Sequence, residues 1–176
     1  MISIVTPTWE RPQLLVHCIT AVKRQDVPVE HIVVSDGPDP KTAALCRHYN
    51  VTYAHCPEHV GDFGNTARDI GVGMATGEYL AFWDDDNLFV SQAAARLLVA
   101  VQGHDIGVVR IRHWDRKRNF MRTIPEAWDG QFYGFHIDTA CFCVRRDFFL
   151  AHDLKWRTAA DNPYSADHQL CEKMRK

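Results

Sequence analysis

Tyr79-Leu80-Ala81-Phe82-Trp83-Asp84-Asp85-Asp86-Asn87-Leu88-Phe89 decides how the chain is read: an apolar strand runs straight into three consecutive aspartates and an asparagine. Strands are poor in Asp and adjacent carboxylates repel, so three acids at a strand end call for a partner that offsets the repulsion. A hard divalent cation is the natural one. Alternate residues of an extended strand share a face, which predicts Asp84 and Asp86 on one side and Asp85 on the other. Mg²⁺ or Mn²⁺ held by one or two carboxylates keeps coordination positions for water and a diphosphate. The competing reading is an acidic turn that opens a helix at its favourable end.

On either side of this stretch the pattern alternates between strand and helix. Residues 2–6 form a nearly continuous apolar strand, and Pro12 stands where a helix begins, with Leu14, Leu15, Cys18, Ile19 and Val22 at helical spacing. Residues 31–36 read as a second strand closed by Gly37-Pro38-Asp39-Pro40, Ala43 to Tyr49 as a short helix, and 51–55 as a third strand. Between Phe63 and Ala75, the residues Ala67, Ile70, Gly71 and Met74 mark one helical face, and Asn65 and Arg68 lie off it, free for other contacts. A fourth strand spans 78–84, and Ser91 is placed to cap a helix carrying Leu97, Leu98 and Val101.

Downstream, 105–114 alternates like a half-exposed strand at the edge of a mixed sheet. Residues 115–134 read as a hairpin or loop, 139–144 as a buried strand followed by a short helix, and a last helix starts near Ser165 and runs to the end. Strands alternating with helices imply right-handed crossovers and an α/β fold: a mostly parallel central sheet, helices on both faces and a small antiparallel extension. In such sheets ligands bind beyond the carboxyl ends of the strands. Three of those ends are polar here, Thr6-Pro7-Thr8-Trp9, Ser35-Asp36-Gly37 and Asp84-Asp85-Asp86-Asn87. Meeting along one edge, they have the layout of a nucleotide site with a metal beside it.

The 176 residues, 46% of them hydrophobic, suffice for one domain with a real core. A formal net charge of −2 leaves no electrostatic footprint for nucleic acid. A strand beginning at Met1, with no basic-then-apolar leader and no apolar run of bilayer length, predicts a cytoplasmic protein without an integral membrane segment. The six cysteines sit within apolar patterns and are expected as reduced core residues, and no CxxC pair completes a zinc site.

Asp36, at a strand end beside Gly37, is suited to accept a hydrogen bond from a nucleobase imide, or else to bond its own loop. Arg68 can offer its planar fork to a phosphate, or can lie on a solvated helix surface. Asp167 begins the apolar stripe Leu170, Cys171, Met174 and therefore faces inward, either as a general base or as an acid that suits the helix dipole. His168 is either a second metal ligand or a surface residue.

ISIVTPTWERPQLL, HIVVSDGPDP, GNTARDIGVGMATGEYLAFWDDDN and SADHQL resemble, in this order, the pattern of family 2 glycosyltransferases with the GT-A fold, over residues 2 to about 172. The resemblance implies transfer of a sugar from a nucleotide diphosphate donor, usually a UDP-sugar, to an acceptor with a free hydroxyl. By position, Thr6, Pro7 and Thr8 are implied in the donor pocket, with Asp36 on uracil and Asn65 and Arg68 near the base or diphosphate. Asp84, Asp85 and Asp86 are the implied DxD-type site, with Asp84, Asp86 and His168 as candidate ligands of Mn²⁺ or Mg²⁺, and Asp167 is the implied base. Two other readings are a nucleotidyltransferase on a similar sheet and a non-catalytic nucleotide-binding module. The first would favour a Gly-rich, Lys-containing loop after the first strand, and 6–12 has neither residue.

Overall fold

The computed structural model describes residues 1–115, 119–127, 137–156 and 166–174. The first half is the expected alternation: β1 (Ile2–Thr8), α1 (Pro12–Lys23), β2 (Val29–Ser35), α2 (Pro40–His48), β3 (Thr52–His55), α3 (Asn65–Met74), β4 (Tyr79–Phe82) and α4 (Ala93–Val101). The second half adds β5 (Ile106–Val108), β6 (Ile111–Asp115), β7 (Phe120–Ile124), β8 (Phe142–Arg145), α5 (Arg146–Ala151) and α6 (Ala166–Met174). Six strands form one sheet in the order β3-β2-β1-β4-β8-β5, and β6 pairs with β7 apart from it. The first four are mutually parallel, and β8 runs antiparallel between β4 and β5.

Strand pleating sorts the core into two faces. Val5, Ile32, Val34, Leu80 and Phe82 pack with Ala67 and Val72 of α3, Phe149 of α5 and Leu170 of α6. Their neighbours Ile2, Ile4, Ala81 and Trp83 pack on the other face with Cys18 and Val22 of α1 and Leu97 and Val101 of α4. Both faces of the central strands are covered, which is why they read as continuous apolar runs rather than alternating ones. All six cysteines are buried and unpaired with one another, and burial pushes the thiols of Cys18, Cys46, Cys141, Cys143 and Cys171 up to about 12. They are the inert core residues expected.

Three expectations are corrected. The strand read over 105–114 is two strands: Ile106–Val108 closes the sheet edge on β8, and after Val109 the chain leaves to form β6 in the separate ribbon. The 115–134 segment accordingly contains β7, while 116–118 and 128–136 lie outside the described residues. Residues 139–144 are not all strand. Asp138 accepts from Ala140 N at 3.0 Å and opens a 3₁₀ turn, Thr139–Cys141, before β8 begins. Ser91 does not cap α4. Gln25, from the turn after α1, offers its Oε1 to Ala94 N at 2.8 Å and caps the helix from a distance of 69 residues in sequence.

One polar group is locked inside the sheet layer. His31 Nε2 lies 3.0 Å from Thr6 Oγ1, and burial, aided by Lys23, pushes the imidazole down to about 3 from its ordinary 6.5. A depressed histidine is neutral in the fold and protonated in the unfolded chain. Its contribution is therefore fully present above pH 6.5 and lost progressively as pH falls toward 3. Near pH 5 the loss amounts to roughly 2 kcal/mol, about 1.4 kcal/mol for each pH step below the unfolded pKa. Thermal melts from pH 7 to 5 are expected to fall more steeply for the wild-type chain than for His31→Gln, and parallel curves would refute this.

Candidate active site

The carboxyl ends of β1, β2 and β4 open into a cavity of about 460 Å³. Pro7, Thr8, Asp36, Asn65, Arg68, Asp84, Asp86 and Asp167 line it, together with Trp9, Arg11, His59 and Trp156. Thr6 does not. Its side chain shares the pleat of Ile4, is fully buried, and meets His31 and Cys18 on the α1 side. Pro7, one residue on, points the other way, and a Cβ placed on Gly64 would meet its ring carbon at 2.6 Å. Gly64 holds φ at +80° at the start of α3, so this close approach requires glycine twice over.

The acidic stretch separates as expected but by a different device. Regular strand ends at Phe82, and Asp84 to Asn87 form a turn with Asn87 N donating to Asp84 O at 3.3 Å. Trp83 and Phe89 bracket that turn, stacked at 3.8 Å between centroids. Asp85 points inward at 1% exposure, where Thr8 Oγ1 donates to Oδ2 at 2.5 Å and Arg11 pairs with Oδ1 at 2.7 Å. Burial pushes its carboxyl up to about 6, against the pull of Thr8 and Arg11. Asp85 and Thr8 are thus the pin that holds the turn, while Asp84 and Asp86 face the cavity.

Asn65 and Arg68 are not on a solvated surface; both are 5% exposed. The Arg68 guanidinium pairs with Asp84 Oδ1 at 2.5 Å, donates to Phe63 O at 2.9 Å and lies 4.8 Å over the Trp156 ring. Trp156 is fully packed against Phe82 and Phe142, and its backbone N donates to Asp69 at 2.8 Å. This cation–π platform holds Arg68 at the cavity wall.

At the second strand end, Asp36 is 6% exposed and its two oxygens accept from Val60 N and Gly61 N, each at 2.9 Å. Gly37, at φ +111°, serves the chain itself: a Cβ there would meet Trp9 at 2.9 Å and the His59 backbone at 3.0 Å. Trp9 and His59 stack with centroids 4.4 Å apart and planes 16° from parallel.

In α6, Asp167 lines the cavity and accepts from His168 N at 2.7 Å. Among the described residues His168 is not part of that lining, and it does not converge with Asp84 and Asp86 into a cluster of metal ligands. Ser165, read as the start of this helix, lies outside the described residues.

Asp84 and Asp86 are the carboxylates available to a hard cation at this strand end, and among the described residues no group of three His, Cys, Asp or Glu side chains forms a closed metal site. Asp84 keeps Oδ2 toward Thr139 at 3.5 Å, and Asp86, half exposed, meets Arg11 at a long 3.4 Å. Asp84 and Asp86 line the cavity, Asp84 with Oδ1 on Arg68 and Oδ2 near Thr139, whereas Asp85 is turned away from it toward Thr8 and Arg11. A cation here would draw its remaining ligands from water and donor phosphates, as Mg²⁺ commonly does.

Arg11, His59 and Trp156 were not foreseen. Arg11 stands four residues beyond a strand-end proline and carried no local signal; its partners are 74 and 75 residues away in sequence.

A sequence model described as glycosyl transferase family 2 matches residues 3–154. The glycosyltransferase GlyG of Streptococcus pneumoniae is 27% identical over 150 residues, covering 82% of this chain and 46% of GlyG. The uncharacterized glycosyltransferase EpsJ of Bacillus subtilis is 26% identical over 112 residues, 62% of this chain and 33% of EpsJ. The chain thus spans less than half the length of these curated relatives. Among solved structures, Staphylococcus aureus TarS 1-349 in complex with UDP-GlcNAc superposes with a TM-score of 0.78 at 15% identity, over 99% of this chain and 53% of that one. The Pyrobaculum calidifontis mannosyltransferase PcManGT, in complex with GDP-Man and Mn²⁺, gives 0.65 at 18% identity over 85% and 46%. These likenesses establish the GT-A type of fold.

Proposed function

We propose that this chain, which belongs to glycosyl transferase family 2, transfers a sugar from a nucleotide diphosphate donor, a UDP-sugar, to an acceptor hydroxyl, with residues 1–176 as the donor-binding catalytic domain. The observation that carries the proposal is convergence: Asp36, Arg68, Asp84, Asp86 and Asp167, brought together from the ends of β2 and β4 and from α3 and α6, line one cavity of about 460 Å³. The TarS complex with UDP-GlcNAc supports the donor class.

In this reading Trp9 and Asp36 receive the base, with Asp36 accepting the uracil N3–H on lone pairs left by Val60 N and Gly61 N. Arg68 and Arg11 supply positive charge toward the diphosphate. Asp84 and Asp86 would hold Mn²⁺ or Mg²⁺, which when bound supplies Lewis-acid stabilisation of the leaving diphosphate. Asp167 takes the acceptor proton as the acceptor oxygen attacks the anomeric carbon and the bond to the diphosphate breaks.

Asp36→Ala is expected to weaken UDP binding by roughly 1–3 kcal/mol, the cost of losing a hydrogen bond to a charged group. Calorimetry with UDP and GDP checks this. The guanine edge also offers a ring N–H, and PcManGT was solved with GDP-Man, so a preference for GDP would overturn the uracil assignment. Thermal-shift screening against UDP-, GDP-, ADP- and CMP-sugars, followed by donor hydrolysis or transfer assays, tests the activity itself.

A further inference from the structure

We infer that His59 holds the place of the nucleobase against Trp9 and Asp36 and must swing out when a donor binds, so that it sets the threshold a base must pass. This deepens the donor reading above and rests on it. The His59 ring sits against the two residues to which that reading assigns the base, Trp9 and Asp36. It stacks on Trp9, centroids 4.4 Å apart and nearly parallel, and its Nδ1 lies 3.0 Å from the carbonyl and 3.2 Å from Oδ2 of Asp36. Both of those atoms are acceptors, so Nδ1 carries the proton and donates. A flat ring with one N–H turned toward Asp36 and one face on an indole is what a uracil or guanine edge offers in that place.

The ring is held lightly and its loop is held firmly. Half of the His59 side chain is exposed, at 50%. The following two residues anchor the loop to Asp36 through backbone N–H groups at 2.9 Å, independently of the imidazole. Gly37 leaves the space that Trp9 and the His59 backbone share, because a Cβ there would lie 2.9 and 3.0 Å from them. Rotation of one side chain therefore vacates the Trp9 face and the Asp36 carboxylate without moving the backbone that shapes the slot. A donor base pays for breaking the stack and the hydrogen bond and regains both only if it carries a ring N–H.

Removing the stand-in should tighten binding. Calorimetry with UDP in Mn²⁺ is expected to show His59→Ala binding roughly 3- to 30-fold more tightly than wild type, the equivalent of one hydrogen bond and one ring contact no longer displaced. His59→Phe, which keeps a ring for Trp9 but has no N–H for Asp36, is expected between the two. In NMR spectra of the wild-type protein, the His59 ring protons, identified by their loss in His59→Ala, should sit upfield under the Trp9 ring current and move to ordinary positions as UDP is added. Weaker or unchanged UDP affinity in His59→Ala overturns the inference, as do His59 protons that stay upfield at saturating UDP. If no nucleotide among UDP, GDP, ADP and CDP binds either protein, the inference fails together with the donor reading. If His59→Ala binds UDP more tightly and no sugar is transferred, the inference stands and only the transfer reading fails.

Discussion

Asp167→Asn is expected to lower turnover by roughly 10²–10⁴-fold while UDP binding stays near wild type, the range typical of losing a positioned general base. The amide keeps the shape and hydrogen-bonding reach of the carboxylate but cannot take the acceptor proton. Asp167 belongs to α6, which packs through Leu170, Cys171 and Met174 on the face of the sheet that also carries α3, so its carboxylate is presented to the cavity by a helix anchored in the core. The substitution leaves that packing untouched, and a loss of kcat with unchanged donor affinity isolates the chemical role. Full activity of Asp167→Asn in transfer and donor-hydrolysis assays would place the base elsewhere. Asp138, already engaged in capping the 3₁₀ turn, would be the next residue to test.

Asp86→Ala is expected to erase the dependence of UDP binding and turnover on Mn²⁺ or Mg²⁺, with activity falling on the order of 10²-fold or more, since metal assistance at a leaving diphosphate supplies several kcal/mol. Asp86 suits this test better than its neighbours. Asp84 neutralises the buried Arg68, so Asp84→Ala would also leave an uncompensated charge and would confound binding with folding. Asp85 anchors the turn through Thr8 and Arg11. Asp86, at the exposed end of the turn, can be cut back without either cost. UDP affinity that is the same in EDTA as in Mn²⁺ for the wild-type protein would remove the metal from the proposal.

The fold is legible in the sequence where a local pattern is tied directly to a global constraint. Largely apolar runs at 2–6, 31–36 and 78–84, separated by helical periodicity, are buried most readily as central strands with helices on both sides, and the parallel sheet follows from that requirement. The same logic placed the polar strand ends of β1, β2 and β4 around one cavity, because all three strands run in one direction. Pleat parity was also available and would have excluded Thr6 from the pocket: it lies two residues from Ile4, on the α1 face, whereas Pro7 shares the parity of Val5.

Other features depend on pairs of residues far apart in the chain, and no local pattern encodes those. Arg68 reads from its helix as a surface cation. It is buried because Trp156, 88 positions later, covers it and Asp84 neutralises it. Gln25 caps a helix it does not belong to, which displaces the role assigned to Ser91. The 105–114 segment divides into two strands because β8, arriving from much later in the chain, offers Ile106–Val108 a partner and leaves Ile111–Asp115 to pair with β7.

The chain's amino-acid pattern was enough to establish a mostly parallel α/β sheet and an acidic motif at the end of its fourth strand, because burial and repulsion act on neighbours in sequence. The alternation of the three aspartates was also legible, but the partners that hold them, Thr8 and Arg11 on Asp85 and Arg68 on Asp84, and the His59 ring that covers the Trp9 face, were decided by the tertiary structure. Those assignments come from Coulomb attraction, hydrogen bonding and ring packing between segments that only the folded sheet brings within a few ångströms of one another.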